Sequence, residues 1–390
     1  MKNLLNEITK RTSNDEYPYN VITAEMRLRR LLQNQTLACV ASSTEVSTSY
    51  VSRVEQNQIR PNRMFLTEAF KTLNISDDAF SKLEDLEAVL DIAIVGLINN
   101  DSSKIKEAIE GYNFENYRFR IINFIVAIID RDFFEAAQII KTLDKAVSCM
   151  SDIDLYSYTI AASLYEFMIG DYNISKKLLS KMELVSYRKI EYQVIVNLYL
   201  FYIAYFLNDA SGYRLYKKAF DTIVSSKYIY ILDNLNYVYG IYLINNNDLD
   251  EFDRCNDMIK NESLKNNLLL YKKIINKNPM NEEDILNSCD FIKIYYYKDQ
   301  DKAKALDIID EHKFDIKEFD YNDLVARYLV LDDINEKYEY ILKIVSKSDD
   351  FKNMKFVRNY FIKEFGVLSR ITGRYKNFND LVLEAFNLWN

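Results

Sequence analysis

Thr36-Leu-Ala-Cys-Val-Ala-Ser-Ser-Thr-Glu-Val-Ser-Thr-Ser-Tyr-Val-Ser-Arg-Val-Glu-Gln-Asn-Gln-Ile-Arg-Pro61 decides how this chain is read. Thr36 can cap a short helix that carries Val40 and Ala41 on its inner side. Glu45 then falls in a tight turn, and Ser47 can cap a second short helix. On that helix Tyr50, Val51 and Val54 lie at i, i+1 and i+4, so they share one packed stripe. Thr48, Ser49, Ser52 and Arg53 are left facing out. Two short helices joined by a tight turn make a helix-turn-helix, whose second helix fits the DNA major groove.

Outward from this stretch, residues 22–75 read as one small unit in which Pro61 is the only proline, placed between helical segments. Residues 1–21, polar from Thr12 to Asn20 and holding Pro18, read as an N-terminal arm. Ser76, Asp77 and Asp78 are N-cap candidates, and Phe80, Leu83, Leu86, Val89 and Leu90 follow at helical spacing. Residues 76–98 are therefore expected to form a linker helix.

Residues 99–390 carry a weak internal repeat. Polar turns recur at Asp130-Arg131-Asp132, Gly170-Asp171-Tyr172, Asn208-Asp209-Ala210, Asn246-Asn247-Asp248, Lys298-Asp299-Gln300 and Leu331-Asp332-Asp333. Their spacings from Asp132 are about 39, 38, 39, 51 and 33 residues. Each turn follows an apolar, aromatic-rich stretch and precedes an amphipathic one. A helix pair per repeat cannot bury its apolar faces alone, but several stacked pairs form a continuous core. The expected class is all-α, a helix-turn-helix unit followed by a helical solenoid.

Composition points the same way. The 390 residues hold only 7 Gly and 3 Pro, too few for a turn-rich sandwich or barrel. The 49% hydrophobic content includes 31 Tyr and 22 Phe, enough for a sizeable core. Net charge is −8, but residues 1–75 hold ten Lys/Arg against seven Asp/Glu, a net of +3. The other 315 residues carry −11, so a basic module sits on an acidic body. Cys39, Cys149, Cys255 and Cys289 form no C-x-x-C pair and read as reduced, partly buried side chains of a cytoplasmic protein. No apolar leader is visible before Arg11, and the apolar run Tyr192 to Leu207 is too short to span a bilayer.

Catalytic and cofactor signatures are missing from the sequence. It has no G-x-x-x-x-G-K-[ST], no G-x-G-x-x-G and no G-x-S-x-G. His312 is the only histidine and stands in a charged run, Asp310-Glu311-His312-Lys313, as an exposed helix-end residue would. No enzyme activity, cofactor or metal site is expected.

Residues 22–75 resemble the Cro/repressor, or xenobiotic-response-element, helix-turn-helix family. The matching positions are Thr36, Ala41, Val46-Ser47, Ser49-Tyr50-Val51-Ser52-Arg53-Val54-Glu55 and Pro61, in register throughout. The chain departs from the pattern at Thr44, where a buried leucine is usual, and at Glu45, where a turn glycine is usual. The resemblance implies base contacts by Thr48, Ser49, Ser52 and Arg53, the arginine being suited to bidentate recognition of guanine. It implies phosphate contacts by Arg27, Thr36, Asn57, Arg60 and Arg63, which set register on the duplex rather than sequence.

The body resembles tetratricopeptide-like repeats in period and texture, with Gly170-Asp171-Tyr172 as the best match. A helix-turn-helix unit followed by such repeats is similar to the RRNPP regulators of Gram-positive bacteria and their phages. That resemblance implies a homodimeric transcription regulator gated by a short signalling peptide in the groove of the repeats. In that family Asn side chains on inner helices hold the peptide backbone. Here the corresponding candidates are Asn197, Asn234 and Asn236, with Tyr199, Tyr202 and Tyr237 nearby. The bland reading of the same residues is that the tyrosines fill the core and the asparagines cap turns or face solvent. A protein–protein adaptor or response-regulator modulator is the alternative function.

Overall fold

The computed structural model describes Leu4, Asn6 and residues 21–76, 83–112, 116–183, 189–207, 209–276, 278–311, 327–346 and 355–378. Among the described residues there are twenty-two helical segments, two of them 3-10, and no strand, so the expected all-α class is observed. The arm expected at residues 1–21 lies outside the described residues except for Leu4, Asn6 and Val21, and His312 also lies outside them.

Helices recur because the chain stops and restarts them with the same chemistry. Arg131, Gly170 and Asn247 adopt left-handed φ values of 60°, 88° and 58°. Each is followed by an aspartate whose N–H reaches back to a carbonyl five residues earlier: Asp132 to Ala127 at 2.8 Å, Asp171 to Glu166 at 2.8 Å, Asp248 to Leu243 at 3.0 Å. These are Schellman stops. Each aspartate then caps the next helix, accepting from the N–H of Glu135, Ile174 and Glu251 respectively. Three of the six polar turns singled out in the sequence thus share one backbone device.

The chain divides into two units, Met1–Leu200 and Phe201–Asn390. The first opens with α1 (Val21–Leu32), α2 (Leu37–Ser43), α3 (Thr48–Glu55) and α4 (Arg63–Thr72). It continues through α5 (Leu83–Asn99), α6 (Ser103–Ile109), α7 (Tyr117–Ile129), α8 (Phe133–Leu143), a 3-10 turn (Val147–Cys149), α9 (Asp152–Met168) and α10 (Tyr172–Met182). Helix α5 covers most of the expected linker. It packs on α6 and α7 and buries Leu86, Leu90, Ala93 and Ile94. Helices α7 and α8 pair, as do α9 and α10, and α9 also packs on α7. Asp154 on α9 is fully buried, yet it accepts from Arg118 Nε at 2.7 Å, Ser151 Oγ at 2.6 Å and the Tyr117 hydroxyl.

Helix α11 (Ile190–Phe206) carries the most apolar run and spans the unit boundary. The second unit follows with α12 (Gly212–Val224), a 3-10 turn (Ile229–Ile231), α13 (Leu232–Asn245), α14 (Leu249–Met258), α15 (Glu262–Ile275), α16 (Glu282–Ile285), α17 (Asp290–Tyr297) and α18 (Lys302–Glu311). Further along are α19 (Ile334–Ser346) and α20 (Lys355–Thr372), which pack together. Its aromatic core is dense. Tyr216 and Tyr239 stack with centroids 3.6 Å apart, and Phe201 meets both rings edge-on. A Cβ at Gly240 would lie 2.4 Å from Leu268, which explains how α13 lies so close to α15. Among the described residues, no helix is long and apolar enough to cross a membrane.

Candidate nucleic-acid interface

Helices α2 and α3 begin where hydroxyls were expected to start them. Thr36 Oγ1 accepts from the Cys39 N–H at 3.2 Å, and Ser47 Oγ accepts from the Tyr50 N–H at 3.1 Å. Between them Glu45 takes a left-handed φ of 55°, and the Val46 N–H closes on Ala41 O at 3.0 Å. This is the same stop used in the body, here holding a non-glycine residue. Val40, Ala41, Val51 and Val54 join Met26, Phe65, Ala69, Leu73 and Ile75 in one core. Tyr50 sets its ring edge-on to Phe65 at 5.2 Å.

The inner stripe of α3 is therefore fixed, and the remaining face turns outward. Thr48, Ser49 and Arg53 are exposed. Ser52 is half-buried and accepts from Gln56 Nε2 at 3.2 Å. Among the described residues no ion pair engages Arg53. Glu55, its nearest acidic neighbour on the helix, is buried and held by Arg30 through two short bonds. Arg30 also donates to Gln35 O at 3.0 Å, and its hydrogen bond to Glu55 raises its affinity for its proton further. The outer face of α3 thus presents two small hydroxyls and one unengaged guanidinium around a third, half-buried hydroxyl.

The residues expected to contact phosphate divide. Thr36, Arg60 and Arg63 are exposed, the last at the start of α4. Arg27 departs from the expectation. It is half-buried, its Nη1 points to Cys149 Sγ at 3.7 Å, and its Nε is buried with no acceptor. Asn57 is also half-buried, in a left-handed φ of 55°, and its side-chain oxygen accepts from the Thr23 hydroxyl. Arg27 thus faces the 3-10 turn at Val147–Cys149, and Asn57 faces Thr23 on α1.

The six peptide-groove candidates fall in both units. In the first, Asn197 is buried and Tyr199 packs edge-on against Phe167 at 5.1 Å, with burial pushing its phenol up to about 12. In the second, Tyr202 is half-buried beside Phe201, and Tyr237 is half-buried. Asn234 is exposed, but Asn236, two residues on, is buried, and its oxygen accepts from the Tyr216 hydroxyl at 2.9 Å. The Asn236 Nδ2 has no partner. Asn234 and Asn236 therefore do not share a face. Asn236 belongs to the tyrosine core.

Several residues that hold these helices in place were not singled out for that role from the sequence. Glu25 Oε2 accepts from the Tyr117 backbone N–H at 2.7 Å, and Arg29 Nε pairs with Glu25 Oε1 at 2.7 Å. The Cys149 thiol donates to Glu55 O at 2.7 Å. Burial raises both the Glu25 carboxyl and the Cys149 thiol above their ordinary values. The four cysteines are free. Cys149 and Cys255 are buried, Cys289 is intermediate and Cys39 is exposed. Among the described residues no three His, Cys, Asp or Glu side chains could hold a metal ion. No protein-family model, curated protein or solved structure matches the chain.

Proposed function

We propose that this chain is a sequence-specific DNA-binding regulator, with α2 and α3 as a helix-turn-helix of the Cro/repressor type and α3 as the recognition helix. The observation that carries it is an α3 whose inner stripe, Val51 and Val54, is fully buried while Thr48, Ser49 and Arg53 stand open. A helix fixed on one side with free hydroxyls and one unengaged guanidinium on the other suits base-edge contacts in a major groove. Thr36, Arg60 and Arg63 remain the phosphate contacts in this reading. The net charge of +3 on residues 1–75 favours a polyanion, although the whole chain carries −8.

The paired helices after α5, with their recurring stops, are the tetratricopeptide-like part, and the regulator is a homodimer of the peptide-gated RRNPP kind. Dimerisation is read by light scattering. The helix-turn-helix reading is tested by mobility shift on the DNA upstream of the gene. Arg53→Ala is expected to weaken specific binding by about 1–3 kcal/mol and to relax one base position. Retention of the variant equal to that of the wild type on the specific sequence would overturn the assignment of α3. Absence of any retention by the wild-type chain would favour the adaptor reading instead.

A further inference from the structure

Helix α1 is buried on more than one side. Met26 faces the core of the small unit, but Ala24 and Leu28 are just as fully buried and lie outside that core. Helix α1 packs on α3, and also on α7, α8 and the 3-10 turn at Val147–Cys149. Polar bonds fasten the same seam at two separate points. At one, the Glu25 carboxylate takes the N–H of Tyr117, the first residue of α7. At the other, the Cys149 thiol donates to the carbonyl of Glu55, the last residue of α3, with Arg27 against its sulfur. Tyr117 in turn donates its hydroxyl to the buried Asp154, which ties the first point into α9.

We propose that the unit bearing the recognition helix is clamped to the first helices of the body at these two points, Glu25 on Tyr117 and Glu55 on Cys149, so that the body sets the direction in which α3 meets DNA. Glu25 and Cys149 are positioning residues. This rests on the DNA-binding reading and adds a regulatory route to it. A change of state in the body reaches α3 by opening or shifting the clamp, not by loosening a tether. In this structure the clamp is closed and the outer face of α3 is exposed, so closure prepares the chain to bind DNA.

The test is thiol labelling of the full-length chain with a maleimide, read site by site by mass spectrometry. Cys39 is the exposed reference and Cys255 a buried control in the second unit. In the wild type, Cys39 reacts fast while Cys149 and Cys255 lag by at least tenfold. Glu25→Ala removes the first point without removing any bond to Cys149, yet it should accelerate labelling of Cys149 at least fivefold and leave Cys255 unchanged. Glu25→Gln keeps an oxygen that can accept from Tyr117 and should stay near the wild-type rate. If Glu25→Ala loses its helical signal, Glu25→Asp, whose shorter side chain falls short of the Tyr117 N–H and again leaves every bond to Cys149 in place, is used with the same expected result.

Wild-type labelling of Cys149 as fast as that of Cys39 would overturn the clamp, as would a folded variant with no acceleration. On a DNA fragment that the wild type retains, the accelerated variant should bind at least fivefold more weakly. Unchanged binding would overturn the link to DNA. A wild type that retains no DNA defeats the functional reading alone, because the labelling is read without DNA.

Discussion

Arg30 and Glu55 meet through two parallel bonds, Nε to Oε1 at 2.6 Å and Nη2 to Oε2 at 2.7 Å, and both side chains are buried. The pair joins α1 to the end of α3, so it sets the angle of the helix that carries Thr48, Ser49 and Arg53. Removing either partner strands the other charge away from water, at a cost of about 3–5 kcal/mol. Arg30→Ala and Glu55→Ala are each expected to lower the thermal midpoint and to remove amide protection from α2 and α3. A double replacement by apolar residues should recover most of that loss. Arg30→Lys should not, because an ammonium cannot make the paired, planar contact. A silent Arg30→Ala would show that the pair contributes nothing.

Glu45 sits at a left-handed φ of 55° and is exposed. An L-residue with a Cβ is strained there, whereas glycine is not. Glu45→Gly is therefore expected to stabilise the small unit by up to about 1 kcal/mol, after subtracting the greater freedom of glycine in the unfolded chain. The comparison is urea unfolding of the two full-length proteins followed by amide exchange in α2 and α3. A less stable glycine variant would mean that the Glu45 side chain holds the turn by a contact of its own.

The helical class and the local starts and stops were legible because they depend on short-range chemistry. Thr36 and Ser47 announce caps, and the Asp132, Asp171 and Asp248 turns announce stops, each within a few residues of what they act on. The inward Val51 and Val54 and the outward Thr48, Ser49 and Arg53 followed from helical spacing alone. What could not be read is what meets across the chain. Arg27 resembled a surface cation until the 3-10 turn at Val147–Cys149 covered it. Asn236 resembled a groove amide, but Tyr216 already occupies its oxygen. Glu25 and Tyr117 are 92 positions apart, and no spacing rule links a carboxylate to a backbone N–H at that range.

Asp132 and Asp171 cap their helices in the same way, yet the two should not respond alike to substitution. Asp132→Ala loses one cap and is expected to cost about 1 kcal/mol. Asp171→Ala loses an equivalent cap but also removes a negative charge that disfavours ionisation of the buried Glu166. Its net cost at pH 8 should therefore be smaller than that of Asp132→Ala, while at pH 5 the two should be similar. Thermal midpoints of both variants at the two pH values decide this. Equal costs at pH 8 would show that Asp171 and Glu166 do not interact.

Glu166 itself gives the chain a pH dependence of unusual sign for a carboxylate. Burial, reinforced by repulsion from Asp171, pushes its pKa up to about 7 in the folded state from an ordinary value of 4.5. A value raised on folding means that the protonated form is the one the fold prefers. The associated stability is complete below the ordinary carboxylate range and is lost as pH climbs through about 7. Ionised Glu166 at pH 8 should cost on the order of 1–3 kcal/mol, the lower end allowing for its partial contact with water. Glu166→Gln keeps the shape and discards the charge. It should match the wild type near pH 4 and exceed it at pH 8, so the difference in thermal midpoint grows with pH. A constant difference across that range would place the Glu166 carboxyl in contact with enough solvent to titrate normally.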